Sequence, residues 1–268
     1  MDTLLILLAA AAAAPGADEY LVSDAREFVD ALGPDRTIVI EGGRIFVSDL
    51  LPDDGEPAYP GHFAHWENVF DGCSLVISGL DGLTITGTGT LACSLMTDVR
   101  YAFVLGFEDC SDLRVENLVM GHRPDGYCDK GVLGFTGCSD VTVDYCDLYG
   151  CGIEGITLRN SSDVEVMLTR IHDCVYGIVT AYGCSDLVFS ECEFTRNQQY
   201  YGLELRDCSN VVFSGCLVED NYVSDYYSLF ELVGCRAVYL RDCVLRYNHA
   251  SSVFSTTDCV TMDDVEME

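Results

Sequence analysis

Residues 138–160, CSDVTVDYCDLYGCGIEGITLRN, alternate apolar and polar side chains, yet place cysteine and glycine at short intervals along the way. Alternation with period two is the mark of a half-buried strand. The apolar positions fall in three pairs: Val141 with Val143, Cys146 with Leu148, and Ile156 with Leu158. Each pair is one short strand, so the segment predicts three strands joined by corners.

The same pattern recurs along the chain. With the first Cys of CSDVTV as anchor, related segments start at Cys110, Cys138, Ser161, Cys184, Cys208, Cys235 and Cys259, and LDGLTI from Leu80 is an earlier member. The intervals from Cys110 are 28, 23, 23, 24, 27 and 24 residues, and a period of this size is the signature of a solenoid. No stretch of helical periodicity separates the strands, so alternating strand and helix units are excluded. CSDVTVDYCDL also fits a leucine-rich repeat, but the rest of each repeat (EGITLRN, YGLELRD, SLFELVG) reads as a further strand. The chain is therefore expected to be all-β: a right-handed parallel β-helix with three strands and about 23–28 residues per rung, its hand following from the general preference of parallel crossovers.

Fifteen cysteines take their meaning from this geometry. Successive rungs stack about 4.8 Å apart, so equivalent positions become ladders of like residues. The anchors make one ladder, and Cys146, Cys192, Cys216 and Cys243 make another. Small thiols suit inward corners. A structural zinc site needs four converging ligands and a disulfide needs side chains that face one another; neither suits a single file. Cys151, Cys174, Asn197, Asn221 and Asn248 share a corner position, where the Asn amides can bond to each other.

Composition limits the partners. With 44 acidic and 14 basic residues, a formal charge of −30, nucleic acid and anionic membrane surfaces would be repelled. The apolar run from Leu4 to Ala14 resembles a secretory signal, so residues 1–17 are expected to be a signal peptide and 18–268 a single domain; the run is too short to span a bilayer. The expected location is secreted, periplasmic or in the envelope of a bacterium. Asp24 three residues before Glu27 predicts a capped N-terminal helix that plugs the core, with Gly33 as its stop. LPDDGEPAYPGHFAHWENVF (51–70) reads as a long loop beside it.

Functional candidates gather at the corner after the second strand of each rung. Nine of the fifteen tyrosines and three of the five histidines fall in six short segments there, from GHRPDGYCDK (121–130) to RYNHAS (246–251). Arg159, Tyr182, Glu204 and Arg206 are expected to face outward from the adjoining strand, with His122, Tyr149, Glu154, His172, Tyr200 and Tyr201 nearer the corner. Tyr combines an apolar face with a hydroxyl, which suits a sugar polymer. Glu154 and Glu204 are candidates for the carboxylate pair of a glycosidase, though two rungs put them roughly 10 Å apart; His172 or Tyr182 beside Arg159 would serve a polysaccharide lyase. Glu204 and Glu231 could hold Ca²⁺, but two glutamates make no site, and no cofactor is assigned.

The rungs CSDVTVDYCDLYGCGIEGITLRN and CSDLVFSECEFTRNQQYYGLEL resemble right-handed parallel β-helix repeat proteins of the pectin-lyase-like superfold over about residues 70–268. GHRPDGYC followed by GVLGF resembles a segment of a bacterial subgroup of unknown role. The resemblance implies saccharide chemistry. The chain carries no GHG, NTD, RIK or DPH motif of the well-defined enzymes. These readings favour a non-catalytic exported protein that binds glycan or polysaccharide along the Tyr-rich corner. A lyase or hydrolase using the same groove and a structural envelope protein are the alternatives.

Overall fold

The structure, a computed structural model, describes residues 18–51, 57–123, 130–150, 154–198 and 200–268. Among them the strands stack into three sheets of ten, nine and eight members. Each complete rung contributes one strand to each sheet, the first and last turns being partial, and all but one of the strand pairings are parallel; the rung starting at Ser139, for example, runs through Ser139–Asp144, Asp147–Tyr149 and Ile156–Arg159. The three-strand repeat is therefore the unit of the fold, with the anchors at a corner between the third and first sheets.

The Ser-Asp that follows the anchor cysteine has a backbone reason. Asp112, Asp140, Asp163, Asp186 and Asn210 adopt left-handed φ of 46–57°, a conformation Asp and Asn tolerate better than most residues. It turns the chain from corner into strand, and Leu113, Val141, Val164, Leu187 and Val211 then point inward in register.

The interior is a stack of like side chains. Phe189 and Phe213 lie parallel with centroids 4.8 Å apart, and Phe107 and Phe135 repeat the arrangement at 5.1 Å. Cys110, Cys138, Cys184 and Cys208 in one ladder, and Cys146, Cys192, Cys216 and Cys243 in the other, are free thiols no more than 2% exposed. Their Sγ atoms donate to backbone carbonyls, as Cys192 does to Val166 O at 3.2 Å, and burial pushes the Cys146 thiol up to about 12. Ser161 and Thr169 interrupt both ladders in the same rung and accept from the amides of Cys138 and Cys146 at 3.1 and 3.2 Å. In the Asn ladder, Nδ2 of Asn197 donates to Oδ1 of Asn221 at 3.0 Å and that of Asn221 to Asn248 at 2.9 Å. Cys174 closes the row by donating its amide to Asn197 Oδ1 at 3.0 Å; Cys151 lies outside the described residues, as do residues 1–17.

The N-terminal helix, Ala25–Ala31, is capped as expected: Asp24 accepts from the Glu27 amide at 2.8 Å and Glu27 accepts from the Ser23 amide at 2.8 Å. Phe28 and Val29 plug the first rung. The reading of 51–70 as a loop is corrected. Ala64–Val69 is a strand, antiparallel to Gly72–Ser78 and joined to it by the two-residue turn Phe70–Asp71, with Gly72 in the closing pair opposite Val69, the position after a turn that glycine favours. This strand forms the edge of the third sheet. At the other end Val253, Phe254, Val260 and Val265 are only partly buried against the core. Among the described residues no helix is long and apolar enough to cross a membrane.

Candidate functional site

The outer face of the third sheet carries the site. Its strands Leu105–Glu108, Leu133–Thr136, Ile156–Arg159, Val179–Tyr182, Leu203–Arg206 and Phe230–Val233 stack in strict register. One outward row reads Gly106, Gly134, Thr157, Thr180, Glu204, Glu231, and the next Glu108, Thr136, Arg159, Tyr182, Arg206, Val233. Small residues make the start of the first row a shallow floor, and a cleft of about 500 Å³ lies over it. Phe103 and Tyr176 form aromatic walls, while Glu67, Glu108, Lys130, Glu154 and Arg159 bring charge to its lining.

Glycine sets this shape. A Cβ on Gly134 would lie 2.6 Å from the Phe103 ring, so only glycine lets that ring lie against the sheet. The ammonium of Lys130 sits 5.3 Å from the centre of the same ring and pairs with Glu67 on the antiparallel edge strand. A Cβ on Gly177 would lie 3.3 Å from Glu154 Cγ. Glu154 leans across that gap: Thr157 and Thr180 hydroxyls each donate to one of its oxygens at 3.1 Å.

Glu154 and Glu204 stand in unlike surroundings. Burial pushes the Glu154 carboxyl up to about 7, the two hydroxyls pull against it, and the charge on Glu204 adds to the rise. Glu204 is 3% exposed, accepts from the Tyr182 hydroxyl at 2.9 Å and is ion-paired to Arg206 at 2.7 Å. By leaning to Thr180, on the strand between them, Glu154 closes part of the roughly 10 Å that two strand spacings impose. Burial and the bond to Glu204 push Tyr182 up to about 12, and the Arg159 guanidinium lies 5.0 Å over its ring.

Beyond Tyr176 the aromatic wall continues. Tyr200 and Tyr201 lie 4.9 and 5.3 Å from the Tyr176 ring, and Tyr227 lies 4.4 Å from Tyr201. Of the residues singled out in the sequence, the structure thus brings together Glu154, Arg159, Tyr182, Tyr200, Tyr201, Glu204 and Arg206.

It places the other three elsewhere. Tyr149 and His172 face outward from the second sheet, with rings stacked 5.8 Å apart. Asp147 and Asp173 hold the two nitrogens of His172 at 2.6 and 2.5 Å; burial lowers its pKa, these acids raise it more, and the net shift is upward. Outward positions on the two sides of a corner point away from different faces, which is why His172 and Arg159 do not meet. His122 is 3% exposed, inside the rung, with Nε2 2.8 Å from Ala102 O; burial holds its pKa down. The adjoining loop segments 124–129 and 151–153 lie outside the described residues.

The sequence reading does not single out Phe103, Lys130, Thr157, Tyr176, Thr180 or Tyr227. A signal for some of them exists: the residue two before each third-sheet strand reads Phe103, Gly131, Glu154, Gly177, Tyr201, Ser228. Large side chains alternate there with glycine or serine, as stacked rungs require when one residue lies over the next. Lys130, the only lysine, acquires a role only from the position of Phe103.

No curated protein sequence matches the chain. Among solved structures, a pectate lyase from Bacillus sp. N165 in complex with trigalacturonate superposes with a TM-score of 0.64 at 10% identity, covering 96% of this chain and 83% of that one. A mutant pectate lyase from Bacillus subtilis gives 0.57 at 11% identity, with 95% and 82% covered. One from Xanthomonas campestris gives 0.54 at 10% identity, with 94% and 80% covered. At such identities the likeness shows the fold alone. The family model for a right handed beta helix region matches residues 67–200 and 127–264, and the chain belongs to that family.

Proposed function

We propose that the protein acts outside the cytoplasm and binds a saccharide chain in the cleft over the third sheet. The observation that carries this reading is the floor of Gly106, Gly134 and Thr157 between the rings of Phe103 and Tyr176. Flat apolar faces beside carboxylate and hydroxyl groups match the C–H faces and hydroxyls of sugar rings. A pectate lyase of the same fold holds trigalacturonate, which is consistent with a saccharide at such a surface. The pairing of Arg206 with Glu204 and of Lys130 with Glu67 keeps the groove's polar groups in place before a ligand arrives.

The test is retention in gels that contain soluble polysaccharides. The double variant Phe103→Ala with Tyr176→Ala is expected to lose about tenfold or more in affinity for whichever polymer retards the protein. Tyr149→Ala, on the second sheet, should leave retention unchanged. Equal loss in both variants would move the site off the third sheet, and retention on no glycan would leave the structural envelope role in its place.

One observation favours a second reading, that of an enzyme. A carboxyl that holds its proton near neutrality at the edge of a cleft can give that proton to a glycosidic oxygen, and Glu154 is such a group. If so, a polysaccharide panel will yield new reducing ends or unsaturated product, and Glu154→Gln will lower the rate about 100-fold or more. Retention without any product leaves binding as the function.

A further inference from the structure

The charge around the cleft bears on which saccharide it takes. Three carboxyl groups, Glu67, Glu108 and Glu154, line it against two cations, Lys130 and Arg159, among the described residues. Lys130 is committed to Glu67. Arg206, the next cation along the sheet, is committed to Glu204. Arg159 alone of these three forms no ion pair among the described residues, and its guanidinium lies over the Tyr182 ring. Beyond Thr180 the floor row continues with Glu204 and Glu231, and the whole chain carries −30.

A polyuronate brings one carboxylate per sugar, and each must be matched by a cation or else held against like charge, which costs several kcal/mol at close range. One uncommitted guanidinium along six strands does not supply that. An uncharged sugar chain meets no such cost: its hydroxyls donate to the carboxylates of Glu108 and Glu154, and its C–H faces pack on Phe103 and Tyr176. From the charge balance of this cleft we infer that it selects an electrically neutral saccharide chain and discriminates against polyuronates. The inference rests on the binding reading above and narrows it to a ligand class. It also separates this protein from the fold neighbour that holds trigalacturonate.

The test uses a matched pair of probes, polygalacturonate and its fully methyl-esterified form, which share a backbone and differ in charge, together with neutral xylan and mannan. Binding of the full chain is measured at pH 8, where Glu154 is ionised, with EDTA and again with added calcium. The expected result is that a neutral polymer binds, and that the esterified form binds at least about tenfold tighter than the acid form under both conditions. Binding of xylan or mannan with neither galacturonan retained supports the inference equally. Tighter binding of the acid form, whether direct and salt-sensitive or switched on by calcium, overturns it while leaving the saccharide reading intact. Binding of none of the four polymers removes that reading and this inference with it.

Discussion

Asn221→Ala is expected to destabilise the protein by about 3 to 4 kcal/mol, lowering the midpoint of thermal unfolding by roughly 10 °C. The side chain is buried and its amide is used fully. Its Oδ1 accepts from both the backbone and side-chain nitrogens of Asn197 at 3.0 Å, and its Nδ2 donates to Phe194 O at 2.8 Å and to Asn248 Oδ1 at 2.9 Å. Truncation strands two donors and a carbonyl inside the solenoid, where each unsatisfied group costs about 1–3 kcal/mol. Asn248→Ala removes the equivalent group one rung later, where the side chain is partly exposed and water can replace it, so a loss of about 1 kcal/mol is expected. Equal losses from the two substitutions, measured by chemical denaturation, would mean that the ladder does not carry the stability assigned to it.

The second large effect is in the pH dependence of stability. The Glu154 carboxyl is raised from an ordinary 4.5 to about 7, chiefly by burial. A raised carboxyl favours the protonated folded state, so its contribution is fully present below about pH 4.5 and is lost as pH climbs through 7. Each tenfold change in proton affinity between the unfolded and folded chains is worth about 1.4 kcal/mol, so the loss amounts to about 3 kcal/mol. Glu154→Gln removes that titration. Relative to the parent protein, the variant should therefore be about 3 kcal/mol more favourable at pH 8 than at pH 4.5. The two stability curves running parallel over that range would show that Glu154 titrates normally and that the floor beneath it is wet.

Much of this architecture is legible in the letters because stacking is a one-dimensional rule. Once Val141, Val164, Leu187 and Val211 are aligned by their anchors, their neighbours in space follow, and the thiol and Asn ladders with them. The strand Ala64–Val69 is not legible in this way, since it stands outside the repeat and turns back on its partner; only the glycine that closes its turn, Gly72, hints at it. For the site, period two identifies Arg159, Tyr182, Glu204 and Arg206 as outward-facing, and the strand register places them on one face of the third sheet. The cleft itself depends on which way long side chains lean. Phe103 lies over Gly134 and Glu154 over Gly177, each on the following rung, a lean that alternation cannot supply. His172 shows the same limit from the other side: it sits next to the corner in sequence, but its side chain belongs to the face before the turn.

A crystal structure of the protein soaked with the oligosaccharide it retains best would locate the bound sugar. Sugar rings are expected on the outer face of the third sheet, between Phe103 and Tyr176 and within hydrogen-bonding distance of Glu154. Sugar bound instead beside Tyr149 and His172 on the second sheet, with the third-sheet cleft filled by water, would contradict that placement.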